Sequence, residues 1–70
     1  MNEMIYNAEK LMQEENYPEA SKLLKKILQE DPDNGRAAAD VGVICIYLQE
    51  IEAAIFYLQK ALDNGYDRYT

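Results

Sequence analysis

The stretch Val41–Leu48 constrains the fold more than any other part of the chain, because it carries no charge and is apolar on every side. Its β-branched and aromatic residues would suit a buried strand. The segments on both sides, however, have apolar residues at helical spacing, so we predict that this stretch is the middle of a helix. A helix that is apolar all round must be covered on several sides. The sequence therefore predicts a central helix with other helices packed around it.

Apolar residues recur at helical spacing in four segments, and turn-forming residues separate them. The predicted helices run from about Asn2 to Glu14, from Pro18 to Glu30, from Arg36 to Leu48 and from Glu52 to Asn64. Asp33 or Asn34 is expected to cap the third helix. Gly65 is expected to end the fourth helix in a left-handed conformation. The pattern indicates an all-α protein.

Charge and residue types exclude several classes of function. The chain has 7 Lys and Arg against 13 Asp and Glu, a net charge of −6, which disfavours nucleic acid and anionic membranes as partners. Lys22, Lys25 and Lys26 form a small basic face, which we interpret as solvated. No apolar run approaches the roughly 20 residues that span a bilayer. We expect a cytoplasmic protein.

The chain lacks most of the residue types that catalytic and metal sites use. There is no histidine, and Cys45 is the one cysteine, so neither a disulfide within the chain nor a cysteine–histidine zinc site can form. Within the apolar stretch Cys45 is expected to act as a small hydrophobic residue. Asp31 and Asp33 hint at a calcium loop, but Gly42 stands where that loop needs glutamate. We expect no enzyme activity, no metal and no cofactor.

The two halves of the chain repeat at a spacing of 34 residues. Four positions of the second segment precede matching positions of the fourth by this spacing: Tyr17, Ala20, Leu24 and Leu28 match Ile51, Ala54, Leu58 and Leu62. Ala8 likewise precedes Gly42. A helix-turn-helix unit with this period, with Asn16–Ala20 at the turn into the second helix and Pro32 after it, resembles the tetratricopeptide repeat (TPR). In that family the small residues Ala8, Ala20, Gly42 and Ala54 would mark the closest helix contacts.

The resemblance implies a fold and a general function. The fold would be antiparallel helical hairpins stacked as a short right-handed α-solenoid, with residues 1–70 as a single domain. Repeat one would comprise residues 1–34 and repeat two residues 35–68. The function would be a non-enzymatic scaffold for protein–protein interaction.

The resemblance also implies a binding surface, because the first helix of each TPR unit lines a concave groove. Carried over by position, the groove residues are Ile5, Glu9, Met12, Arg36, Ala39, Val43, Ile46 and Tyr47, with Asn2 and Gln13 beside them. The basic clamp that some TPR grooves use for acidic tails is absent. An apolar strip remains, with Glu9, Asp40 and Arg36 expected at its rim. We expect an apolar or mildly basic peptide as partner, unless the strip is core covered by the chain's own helices.

The fourth helix carries more apolar residues than one packing face can bury. We predict self-association into a homo-oligomer through Ile55, Phe56, Tyr57 and Tyr66. One alternative is a structural module whose assembly is its function. Another is a fragment of a longer repeat array, in which a further repeat would cover these residues.

Overall fold

The computed structural model describes residues 2–65 and contains four helices. They are α1 (Asn2–Gln13), α2 (Tyr17–Glu30), α3 (Gly35–Tyr47) and α4 (Ile51–Asp63). The predicted all-α fold is confirmed, and every predicted boundary lies within one residue of the observed one. The apolar stretch from Val41 is helical as far as Tyr47, so packing within a helical environment overrides its strand propensity.

The predicted cap of α3 and the predicted glycine end of α4 are both present in the structure. Asn34, rather than Asp33, caps α3, since its side-chain oxygen accepts a hydrogen bond of 3.0 Å from the backbone N–H of Ala37. Gly65 follows α4 with φ of 79°, in the left-handed region. These caps satisfy backbone groups that the helix ends would otherwise leave without partners.

The turns that close the two hairpins have the same geometry, displaced by 34 residues. Glu15 after α1 has φ of 63°, and Gln49 after α3 has φ of 62°. The backbone N–H of Asn16 donates to the carbonyl of Leu11 at 2.8 Å, and that of Glu50 donates to the carbonyl of Cys45 at 2.8 Å. Both are Schellman helix ends. The repeat seen in the side chains is therefore present in the backbone.

Helix packing places α3 at the centre. It packs most extensively on α4, its partner in the second hairpin, and it also contacts α2 and, more lightly, α1. Helices α2 and α4 do not pack directly on each other, which leaves a groove between them. The largest fully buried apolar side chains lie on α2 and α3: Leu24, Ile27, Val41 and Ile44. The four small residues that the resemblance placed at helix contacts, Ala8, Ala20, Gly42 and Ala54, are all buried.

Candidate protein-binding surfaces

A pocket of about 260 Å³ lies between the first helices of the two hairpins. We call it the α1–α3 pocket. Its lining residues are Glu9, Met12, Gln13, Tyr17, Asp40, Val43 and Tyr47. Four of the eight predicted groove residues are among them, namely Glu9, Met12, Val43 and Tyr47. The structure thus brings one half of the predicted groove together in one concave site.

Two stacked tyrosines stand at the end of this pocket where α3 stops and α2 starts. The ring centroids of Tyr17 and Tyr47 are 4.8 Å apart and their planes differ by 10°. Burial raises the pKa of the Tyr17 hydroxyl, and the neighbouring Tyr47 and Glu15 raise this pKa further. The sequence marked Tyr17 as a repeat position but not as a groove residue. Tyr17 begins α2 and Tyr47 ends α3, so the two rings meet only because the second hairpin packs on the first.

Charged groups of both signs lie at the other end of the pocket. Arg36 holds Glu9 with two hydrogen bonds, one of them 2.8 Å from Arg36 Nε to Glu9 Oε2. Asp40 was expected at the rim, but only 1% of it is exposed. The difference follows from its place on α3, because it lies in the run from Ala37 to Gly42 in which every residue is buried. Asp40 is therefore an almost wholly enclosed member of the pocket lining.

Ile5 and Ala39 were predicted to line the groove and instead belong to the core, with 6% exposure each. Ile5 packs in the main core cluster, and its accessible edge reaches a separate hollow that Arg36 also lines. Ala39 lies in a small cluster with Ala61 of α4. Ile46, by contrast, is 49% exposed. Part of the predicted strip is therefore core, as the alternative interpretation required.

The residues predicted for self-association separate onto two surfaces. Ile55 shares an exposed face of α4 with Ile51 and Leu62, at helical spacing. We call these three residues the α4 stripe. Phe56 and Tyr57 point elsewhere and line the groove between α2 and α4. Tyr66 lies outside the described residues.

The groove between α2 and α4 is an apolar trough of about 370 Å³ with lysines along it. We call it the α2–α4 groove. It is lined by Lys25, Leu28, Gln29, Pro32, Phe56, Tyr57 and Lys60. The Phe56 and Tyr57 rings meet edge to face, with centroids 5.2 Å apart. Sequence reasoning missed this surface, because its two halves are far apart along the chain.

Within residues 2–65, no helix combines the length and apolar character needed to cross a bilayer. In the same range, no three His, Cys, Asp or Glu side chains cluster in a way that could hold a metal ion.

The fold and its concave pocket define an all-α helical-repeat protein. A family model described as tetratricopeptide repeat matches residues 11–69. The chain therefore belongs to the tetratricopeptide repeat family, which generally provides non-enzymatic modules for protein–protein interaction. Neither a curated protein nor a solved structure matches the chain.

Proposed function

We propose that this TPR protein binds a peptide or partner helix in the α1–α3 pocket. The observation that carries the proposal is the lining of that pocket, in which Met12, Val43 and the stacked tyrosines supply apolar surface next to Glu9 and the buried Asp40. Apolar surface provides most of the free energy of such an interaction. A concave site with a few polar groups suits recognition of an extended or helical peptide.

Charge favours an apolar or mildly basic partner over an acidic one. Glu9 is the accessible acidic residue of the lining, Asp40 adds a buried one, and the guanidinium of Arg36 reaches Glu9 from outside the lining. An acidic peptide would bring like charges together, and a basic residue would be attracted. The net charge of −6 acts in the same direction at longer range.

The test uses three labelled peptides with the same apolar residues and with lysine, glutamine or glutamate at the flanking positions. We expect the lysine peptide to bind most tightly and the glutamate peptide least tightly, with a difference that shrinks at high salt. Tyr47→Ala should weaken binding, because it removes one of the two stacked rings. Tyr6→Ala is the matched control, since Tyr6 is exposed on α1 and lies outside the pocket. Equal affinity for the lysine and glutamate peptides would refute the charge preference.

A second candidate function is self-association, which the α4 stripe favours. Ile51, Ile55 and Leu62 are each more than half exposed, whereas buried apolar side chains of this size stabilise a protein by about 1.5–3 kcal/mol each. The matching positions in the first repeat show what such a face meets when another repeat follows. Tyr17 matches Ile51 and stacks on Tyr47 of α3, and Leu28 matches Leu62 and packs on a cluster formed by α3 and α4.

The polar outer face of α1, at the other end of the repeat pair, favours a two-fold contact between the α4 helices of two copies. Ala37, Val41 and Ile44 of α3 are buried in the core beside α2. The matching positions 34 residues earlier on α1 are Glu3, Asn7 and Lys10, and all three are polar and exposed. A second copy would therefore not dock its α1 on the α4 stripe as α3 docks on α2. An isologous α4–α4 contact buries the stripe of both copies.

Light scattering on a sizing column across a dilution series tests this candidate. We expect a dimer that dissociates on dilution, and a monomer at all concentrations for Ile55→Glu, because the carboxylate would be buried in the contact. Tyr6→Glu places the same charge on an exposed aromatic position of α1 and should leave the dimer intact. A folded wild-type monomer throughout the series would exclude self-association and leave the peptide-binding proposal standing.

A further inference from the structure

The α2–α4 groove combines an exposed aromatic anchor with positive charge. Phe56 is 62% exposed although its ring packs against Tyr57. Leu28 is half-buried at the junction of α2 and α3, and Pro32 follows the end of α2. The groove exists because α3 separates the two helices, which do not pack on each other. An apolar side chain of a partner would find rings and aliphatic groups there to contact.

Lys25 and Lys60 are the charged residues in the lining of this groove. Neither ammonium group forms an ion pair with a residue in the range 2–65. Other basic residues do: Lys22 pairs with Glu19 at 3.6 Å, and Arg36 pairs with Glu9. In a chain with a net charge of −6, the lining of this groove thus carries charge of the opposite sign, while Glu50 and Glu52 line the adjoining hollow. The basic face that the sequence suggested on α2 borders a defined apolar groove.

We infer that the α2–α4 groove is a second docking surface, for an acidic segment of a protein partner that carries one bulky apolar residue. The apolar residue would pack against Phe56, Tyr57 and Leu28. Carboxylates on either side of it would meet the ammonium groups of Lys25 and Lys60. This charge complementarity is the reverse of that in the α1–α3 pocket, and the two sites share no lining residue. The inference therefore does not depend on the function proposed for that pocket.

A protein segment fits this groove better than a nucleic acid. Binding to nucleic acid depends on many Lys and Arg contacts with phosphates. Here two lysines stand in a chain that carries 13 Asp and Glu, which would repel a polyanion at longer range. A short acidic segment needs few ion pairs, because its apolar residue supplies contact area.

The test measures fluorescence anisotropy with a labelled dodecapeptide in which alternating Asp and Glu flank a central Trp-Ser pair. We expect saturable binding that weakens as salt rises. The same peptide with Asn and Gln in place of the acids should bind several-fold more weakly. So should a peptide that keeps the acids and has Gly-Ser at the centre. If either change leaves the affinity unaltered, or if the acidic peptide does not bind at millimolar concentration, the inference is wrong.

Variants of the protein locate the site. Lys25→Gln with Lys60→Gln should weaken binding about tenfold, the loss expected for two exposed ion pairs. Phe56→Ser should weaken it by a similar factor, while circular dichroism shows that the helices are retained. Lys10→Gln with Lys26→Gln removes the same charge outside the groove lining and should change affinity less than twofold. An equal loss in this control pair would show that net charge, not the groove, attracts the peptide.

Two further measurements separate this inference from the alternatives. Tyr47→Ala alters the α1–α3 pocket alone and should leave binding of the acidic peptide unchanged. If Tyr47→Ala abolishes binding, the acidic peptide occupies the other site and the inference fails. A single-stranded RNA of matched charge should bind more weakly than the peptide. Equal or tighter binding of the RNA would overturn the choice of a protein partner.

Discussion

Leu58 of α4 lies directly against the Cα atom of Gly42 on α3. A Cβ atom added to Gly42 would be 2.6 Å from Leu58 Cγ, 2.7 Å from Leu58 Cδ2 and 3.4 Å from the Leu58 backbone nitrogen. The atom that it would meet first is the branch point of the leucine, which cannot rotate away as the end of a long side chain can. The absence of a side chain at Gly42 thus sets how closely the two helices of the second hairpin approach.

Gly42→Ala is therefore expected to destabilise the protein, although alanine favours helices. The substitution gains about 1 kcal/mol in helix propensity. The overlap with Leu58 costs about 1–3 kcal/mol, because either the side chain leaves its rotamer or α4 shifts. We expect a net loss of about 1 kcal/mol in the free energy of unfolding, measured with urea. In a Leu58→Ala background, where the clash is removed, Gly42→Ala should instead stabilise the protein by about 1 kcal/mol relative to Leu58→Ala alone. A Gly42→Ala variant more stable than wild type would contradict the close contact.

The two asparagines that precede α2 and α3 offer a matched test of capping. The side chain of Asn34 accepts a hydrogen bond from Ala37, whereas that of Asn16 makes no capping bond to α2. Asn34→Ala should lower the free energy of unfolding by about 1 kcal/mol. Thermal unfolding would detect this as a fall in Tm of roughly 4–8 °C for a domain of this size. Asn16→Ala should have a much smaller effect, and equal effects of the two variants would contradict the assignment.

The helical spacing of apolar residues predicted the helices and their boundaries, and the 34-residue repeat predicted the two hairpins. Each of these features depends on local patterns of apolar, turn and capping residues. The sequence predicted less well how deeply each side chain is buried. Ile5 and Ala39 have the periodicity of groove residues, but the depth at which each is buried depends on how closely neighbouring helices approach. Ile5 packs in the main core cluster, and Ala39 packs in a small cluster with Ala61 of α4. Ile55 and Phe56 show a related limit. They are adjacent in sequence, yet about 100° apart around α4, and they serve different surfaces.

The left-handed residue at the end of α3 should be a point where glycine stabilises the fold. Gln49 has φ of 62°, a conformation that costs a residue with a side chain roughly 1–2 kcal/mol. Glycine loses about 0.5–1 kcal/mol more backbone entropy on folding. Gln49→Gly should thus raise the free energy of unfolding by about 0.5–1 kcal/mol. The same substitution at Gln59, inside α4, should lower it by about 1 kcal/mol.

Gln59→Gly is the control for Gln49→Gly, because both substitutions remove the same kind of exposed side chain. A loss of stability in both would mean that the turn gains nothing from glycine. Glu15 follows α1 with φ of 63°, so Glu15→Gly should give a gain similar to the one expected at Gln49.

Cys45 should make the protein less stable at alkaline pH. Burial raises the pKa of its thiol, Glu50 raises this pKa further, and Lys25 opposes them by lowering it. As pH rises above the ordinary thiol pKa of about 8.5, the unfolded chain loses the proton while the native chain keeps it. The unfolded state then binds fewer protons, so the free energy of unfolding falls with rising pH until the folded pKa is reached. Below the ordinary thiol pKa the stability from this group is fully present.

Urea unfolding of wild type and Cys45→Ala between pH 7 and pH 10 checks this expectation. The comparison is one of slopes, since the substitution also changes packing at every pH. The wild-type free energy of unfolding should fall more steeply above about pH 8.5 than that of the variant. Lys25→Gln removes the group that lowers the pKa, so it should extend the fall to higher pH. Parallel profiles for wild type and Cys45→Ala would mean that the thiol titrates alike in the folded and unfolded chains.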